Sequence, residues 1–196
     1  FVKAAFTGEA AGQLHSLFYV GGRPGAAAAP SPGLAGAALT SYAGQLPFPL
    51  PLGGANIHVA RLEGAQAGNI GGLLLCDRLW HNSGFNITTT TAQTVNSVAF
   101  PARDVNGSTN GDGVLVGIEV SATLGNAAVT NTTMSYTNDA NTSGRTATLP
   151  TMPATAVAGT FVPFTLAAGD TGVRSIQSLT LGTTYTSGTI HLVAYR

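Results

Sequence analysis

The chain has 196 residues with eight Lys or Arg and eight Asp or Glu, so its net charge is zero and only 8% of its residues are charged. An average soluble domain carries about 25%. That balance leaves no basic field to neutralise phosphates and excludes electrostatic nucleic-acid binding. The 44% hydrophobic content supplies a core that charged, disordered chains lack.

Residues 1–20 carry Glu9, Gln13 and His15, which interrupt any apolar run, so no signal peptide is expected there. The longest apolar stretches, such as Leu73–Cys76, fall far short of the roughly 20 residues of a membrane helix, so no membrane partner is expected. From Phe1 to Gly72 the chain is rich in Ala, Gly and Pro and poor in β-branched residues. Proline removes backbone donors and fixes φ, which disfavours a long helix or a central strand. Leu46, Phe48, Leu50 and Leu52 alternate with Pro47, Pro49 and Pro51, a spacing that suits an extended strap laid on another surface. A short helix over Leu34–Tyr42 would rest on Ala propensity alone. Residues 1–72 therefore read as an extended arm that gains order by packing on its own body or on a partner. The apolar residues proposed to make that contact are Phe1, Phe6, Leu17, Phe18, Leu46, Phe48, Leu50 and Leu52.

From Leu73 the pattern turns to β. Strands are expected over Leu73–Trp80, Phe85–Thr90, Thr94–Phe100, Val114–Leu124, Ala128–Tyr136, Thr160–Leu166, Val173–Leu181 and Thr189–Tyr195. Turn chemistry separates them at Asn106-Gly107, Asn110-Gly111, Asp112-Gly113, Gly125-Asn126, Ser143-Gly144, Gly169-Asp170 and Ser187-Gly188. Pro163 marks an edge or a bulge. The fold class is mostly β: an antiparallel β-sandwich or jelly roll of about eight strands over residues 73–196, preceded by the extended N-terminal arm.

Chemistry-bearing motifs are sparse. Asp104, Asn106, Ser108, Asn110 and Asp112 place oxygens at alternate positions, as calcium loops do, but Thr109 and Leu115 stand where the sharp-turn glycine and the bidentate Glu belong. Turn chemistry alone accounts for the same residues. His15, His58, His81 and His191 are far apart and form no metal-ligand spacing. Cys76 is the one cysteine, which excludes an internal disulfide and a cysteine-based zinc site, and its apolar neighbours predict a buried thiol. Glu119 lies mid-strand and is expected to face solvent or to pair with an arginine such as Arg174 or Arg145. No nucleophile elbow, phosphate loop or dinucleotide fingerprint occurs, so no enzyme, cofactor or small-molecule substrate is expected. Trp80 and Phe85 are expected to pack the body, with His81 at its rim. A glycan-binding alternative would use Trp80, Tyr136 or Tyr185.

Three segments carry a family resemblance: Leu75–Gly84 followed by Thr88–Thr91; Met134–Asn138 leading into Ser143–Thr146; and Gly188–Tyr195. They resemble virion structural proteins of tailed bacteriophages over roughly residues 70–196. The resemblance implies a capsid decoration (cement) protein on the outer head surface, often trimeric, whose partners are the major capsid protein and copies of itself. A virion localisation follows, with residues 1–70 ordered only against other chains. The alternatives are a tail, tail-fibre or head–tail connector component, or a secreted glycan-binding module or adhesin.

Overall fold

The computed structural model describes residues 1–5, 8, 12–47, 53, 58, 60, 61, 63, 65, 72–125 and 128–196. Among them are twelve strands: β1 (Val2–Lys3), β2 (Leu14–His15), β3 (Gly22–Arg23), β4 (Ala37–Ala38), β5 (Arg78–His81), β6 (Gln93–Thr94), β7 (Leu115–Gly125), β8 (Thr133–Asn138), β9 (Arg145–Thr148), β10 (Thr160–Pro163), β11 (Val173–Thr180) and β12 (Ser187–Tyr195). The one helix among the described residues is a single 3-10 turn, Leu17–Tyr19. The protein is mostly β and its strand pairs are antiparallel, as the sequence predicts.

A six-stranded sheet runs β2-β10-β7-β12-β5-β4, and a four-stranded sheet runs β6-β11-β8-β9. The pairs β5/β12, β6/β11, β7/β10 and β8/β9 nest inside one another along the chain. Val116, Ile118 and Val120 of β7 and Ile190, Leu192 and Ala194 of β12 share one buried cluster with Met134 and Tyr136 of β8 and Ile176 and Leu179 of β11. That shared core is the reason β7 and β12 alternate so strictly.

The other face of the four-stranded sheet is made of hydroxyls. Thr94, Ser178, Ser135 and Thr146 lie in register across all four strands, and Thr180, Thr133 and Thr148 form the next row. Their neighbours in each strand, among them Leu179, Met134 and Ala147, point into the core. Period-two alternation therefore puts every hydroxyl outward.

Residues 12–47 do not wait for another chain. Leu14 and His15 extend the six-stranded sheet beside β10, and Ala37 and Ala38 extend it beside β5. The helix expected over Leu34–Tyr42 is absent, because the body takes up the segment's backbone groups. Ser83 N–H bonds Gly33 O, Trp80 Nε1–H and Val98 N–H bond Ala35 O, and Leu39 N–H bonds Leu79 O. An Ala-based helix has no interaction of comparable number to offer. At the N-terminus, Lys3, the single lysine, donates to the carbonyls of Val20, Pro24 and Gly25 beside the small two-stranded sheet of β1 and β3. The expectation that residues 1–70 take order only from other chains thus fails for 12–47.

Several strand bounds differ from expectation. Leu73–Trp80 forms a strand only from Arg78, and Leu74 is 70% exposed. Phe85–Thr90 turns instead, with Asn86 Oδ1 accepting from both Thr88 N–H and Thr88 Oγ1. The Thr94–Phe100 expectation reduces to Gln93–Thr94, because Asn96 adopts a φ of 44° and bends the chain away. Strand β8 starts at Thr133, later than the expected Ala128. Strand β9 was not expected: four residues with one inward apolar side chain, Ala147, are too few to show a period. Pro163 sits past the two residues of β10 that β2 covers, so its missing N–H costs no ladder bond on that side.

Candidate functional site

The outer face of the six-stranded sheet carries the molecule's most concentrated polar chemistry. The side chains of β7 and β12 that point away from the core include Glu119 and His191, which are register partners, and β5 adds Arg78 and His81. The N-terminal segment lies over them. Arg78 Nη1 donates to both Glu119 oxygens at 2.8 Å, and the two side chains are only 8% and 1% exposed. Tyr19 OH, at the end of the 3-10 turn, donates to Glu119 Oε2 at 2.8 Å. The Arg78 guanidinium lies against both the Phe18 and Tyr42 rings, 4.9 and 5.4 Å from their centroids, and the two rings themselves pack 5.6 Å apart. Three aromatic residues of the arm are therefore held by one buried ion pair of the body.

The two histidines have assignable tautomers. An arginine only donates, so His81 Nδ1, 3.3 Å from Arg78 Nε and 3.1 Å from Nη2, is an acceptor and the ring proton sits on Nε2. The Tyr42 ring meets His81 edge-on at 4.7 Å. Burial, reinforced by the Arg78 charge, pushes His81 down to about 4. His191 Nδ1 lies 2.8 Å from Asn82 O, which only accepts, so Nδ1 carries the proton and Nε2 accepts from Ser121 Oγ at 2.7 Å. Burial lowers His191 too. The Tyr19 phenol is pushed well up, first by burial and then by the Glu119 charge. A cavity of about 370 Å³ opens beside the cluster, lined by residues 28–32, Tyr42, Ala43 and His81.

This is the chemistry of a clamp. Both carboxylate oxygens of Glu119 and Nδ1 of His81 are already committed to donors. Of the two outcomes expected for Glu119, solvent exposure or pairing with an arginine such as Arg174 or Arg145, the second occurs, but with Arg78; Arg145 pairs with Asp170 at 2.8 Å instead. Sequence reasoning missed Tyr19, Tyr42 and Arg78, which lie 100, 77 and 41 residues from Glu119 along the chain; no local pattern could join them.

The other sequence-stated positions separate. Leu17, Phe18 and Leu46 are half-buried on the chain's own body, while Phe1 is 57% exposed. Phe6, Phe48, Leu50 and Leu52 lie outside the described residues. Cys76 is exposed, against the expectation of a buried thiol, because the strand it was assigned to starts two residues later. Trp80 and Tyr136 are fully buried and Tyr185 is 2% exposed, so none of the three presents a ring to a glycan. His81 is buried rather than at the rim, because the arm covers it.

The Asp104–Asp112 loop is closed by its own donors. Asp104 accepts from the N–H groups of Asn106, Ser108, Gly111 and Asp112 and from Ser108 Oγ. Burial alone would raise its carboxyl, but those bonds, led by Ser108, hold it down at about 2. Its oxygens serve the turn, and among the described residues no group of three or more His, Cys, Asp or Glu is placed to hold a metal. In a second cluster, Asp170 accepts from Arg145, Tyr136 OH and Asn138 Nδ2 and is lowered to about 2, first by Arg145.

Compared with known proteins, the chain matches no family model, no curated protein and no solved structure.

Proposed function

We propose that this protein is a non-enzymatic structural component of a virion, a jelly-roll decoration protein that stabilises a capsid by bridging neighbouring subunits. The observation that carries this reading is the strand order. Sheets β10-β7-β12-β5 and β6-β11-β8-β9, with successive strands nested 5/12, 6/11, 7/10 and 8/9, follow the order of an eight-stranded jelly roll with two Greek keys. That architecture serves viral capsids, lectins and cupins.

Surface chemistry favours the first of the three. Among the described residues eight ionised groups are consumed in four ion pairs. The open face of the four-stranded sheet is rows of Thr and Ser. Such a face has little charge to desolvate on docking, which suits packing against copies of itself and a shell lattice. Val2, Leu73, Leu74 and Leu75 add exposed apolar side chains. The glycan-binding alternative loses its three aromatic candidates to the core.

Labelled antibody against this chain, applied to intact particles, tests the reading directly. Decoration of the head, together with a trimer in solution, is the expected result. Label on the tail or connector points to the neighbouring virion role, and absence of label from particles overturns the proposal.

A further inference from the structure

The clamp beneath the N-terminal segment contains a neutral imidazole pressed against a permanent cation, and this arrangement can respond to acid. We propose that His81 is an acid-sensitive latch: protonating it releases residues 12–47 from the outer face of the six-stranded sheet. The inference is independent of the virion reading and would hold for any role of this fold.

Geometry supplies the argument. His81 is 4% exposed, and its Nδ1 has no proton, because Arg78 Nε and Nη2 both point at it. A second proton on the ring would have to go on that nitrogen. It would then face a guanidinium at about 3 Å, removing two hydrogen bonds and creating a like-charge contact. The groups around the ring offer only partial relief, from the Glu119 charge, which burial and Arg78 outweigh. Arg78 is on its own strand. Val193 and the already committed His191 come from β12, and Ala37 comes from β4. The arm contributes the Tyr42 ring, and its OH is spent on Ala28 O. The one anion nearby, Glu119 on β7, is engaged by Arg78 and Tyr19.

Lifting the arm relieves the contact. Tyr42 leaves the His81 edge and Phe18 leaves the guanidinium, so water reaches both cations and the ring returns to ordinary imidazole behaviour near 6.5. The cavity beside His81, about 370 Å³, already gives water a way to the ring. The sign follows from proton counting. Between ordinary and latched values the released state binds one more proton, so each pH unit below about 6.5 favours release about tenfold. Down to a latched value of about 4, the shift accumulates to roughly 300-fold.

The chain carries its own reporter. Trp80 is the only tryptophan, its indole N–H donates to Ala35 O of the arm, and Gly36 packs on its ring. Acrylamide quenching of Trp80 in the full-length protein, followed from pH 7 to pH 4, should rise as the arm leaves. In His81→Gln, whose amide oxygen still accepts from Arg78 but does not titrate, the rise should vanish from this range. An identical rise in His81→Gln overturns the latch, as does a wild-type chain whose Trp80 stays shielded to pH 4. If the variant already releases its arm at pH 7, the histidine ring signals of the wild type decide by NMR. Protonation of His81 coincident with Trp80 exposure supports the latch, and protonation with Trp80 still shielded overturns it.

Discussion

Removing one side of the Arg78–Glu119 pair leaves a buried charge with no other oppositely charged partner among the described residues. Glu119→Gln should therefore destabilise the protein by about 3–5 kcal/mol, the cost of an uncompensated buried charge, read from urea unfolding followed at Trp80. Replacing both partners by Met and Leu should cost far less, because neither charge then has to be desolvated. Asp104 makes a different case: its carboxylate organises five donors of one loop, so Asp104→Ala leaves backbone N–H groups unsatisfied. A loss of about 2–3 kcal/mol is expected, with Tm unchanged on adding or chelating calcium. A calcium-dependent rise in Tm would show that the loop opens its oxygens to a cation after all.

At the scale of elements, the segment from Gly33 to Leu39 is held by backbone bonds to Leu79, Ser83 and Val98 and by one close approach. Gly36 has a φ of +73°, and a Cβ there would lie 2.3 Å from the Trp80 ring and 2.5 Å from His81 O. Gly36→Ala combines left-handed strain of about 1–2 kcal/mol with a clash against a buried ring. The arm should lift at this point, giving red-shifted Trp80 emission and new chymotryptic cleavage at Leu39 or Tyr42. Gly117 is the matching case on the outer face, where the Phe161 ring lies 2.4 Å from a built Cβ. That glycine lets Phe161 lie flat over β7 and meet Tyr195 edge-on at 5.1 Å.

For the whole molecule, stability should fall steadily in acid, and the loss should begin before the carboxylates titrate. Asp104 and Asp170, both held near 2, contribute stability that is present above about pH 4 and lost as pH falls through about 2. His81, neutral in the fold and lowered to about 4, costs nothing above its ordinary value near 6.5 and opposes folding progressively below it. Both slopes have the same sign. Unfolding free energy measured against pH should show a first decline beginning near 6.5 that His81→Gln makes shallower, the remainder belonging to buried His191, whose proton affinity burial also lowers, followed by a second at lower pH that the substitution leaves in place.

By itself the sequence determined the chemical class of this molecule. The charge shortage, the Thr- and Gly-rich turns and the alternation of Val114–Leu124 and Thr189–Tyr195 specify an antiparallel β body, because strand period and turn chemistry are local properties. Short strands such as β9 and the bend at Asn96 escaped it, since four residues do not make a period and a left-handed asparagine leaves no pattern. Only the tertiary structure decided where the arm goes and what holds it. Tyr19, Tyr42, Arg78 and Glu119 become neighbours through a strand order that pairs β5 with β12 and lays the N-terminal segment over both. Contacts made across 100 residues of chain follow from that topology, and topology is settled by the one core the two sheets share.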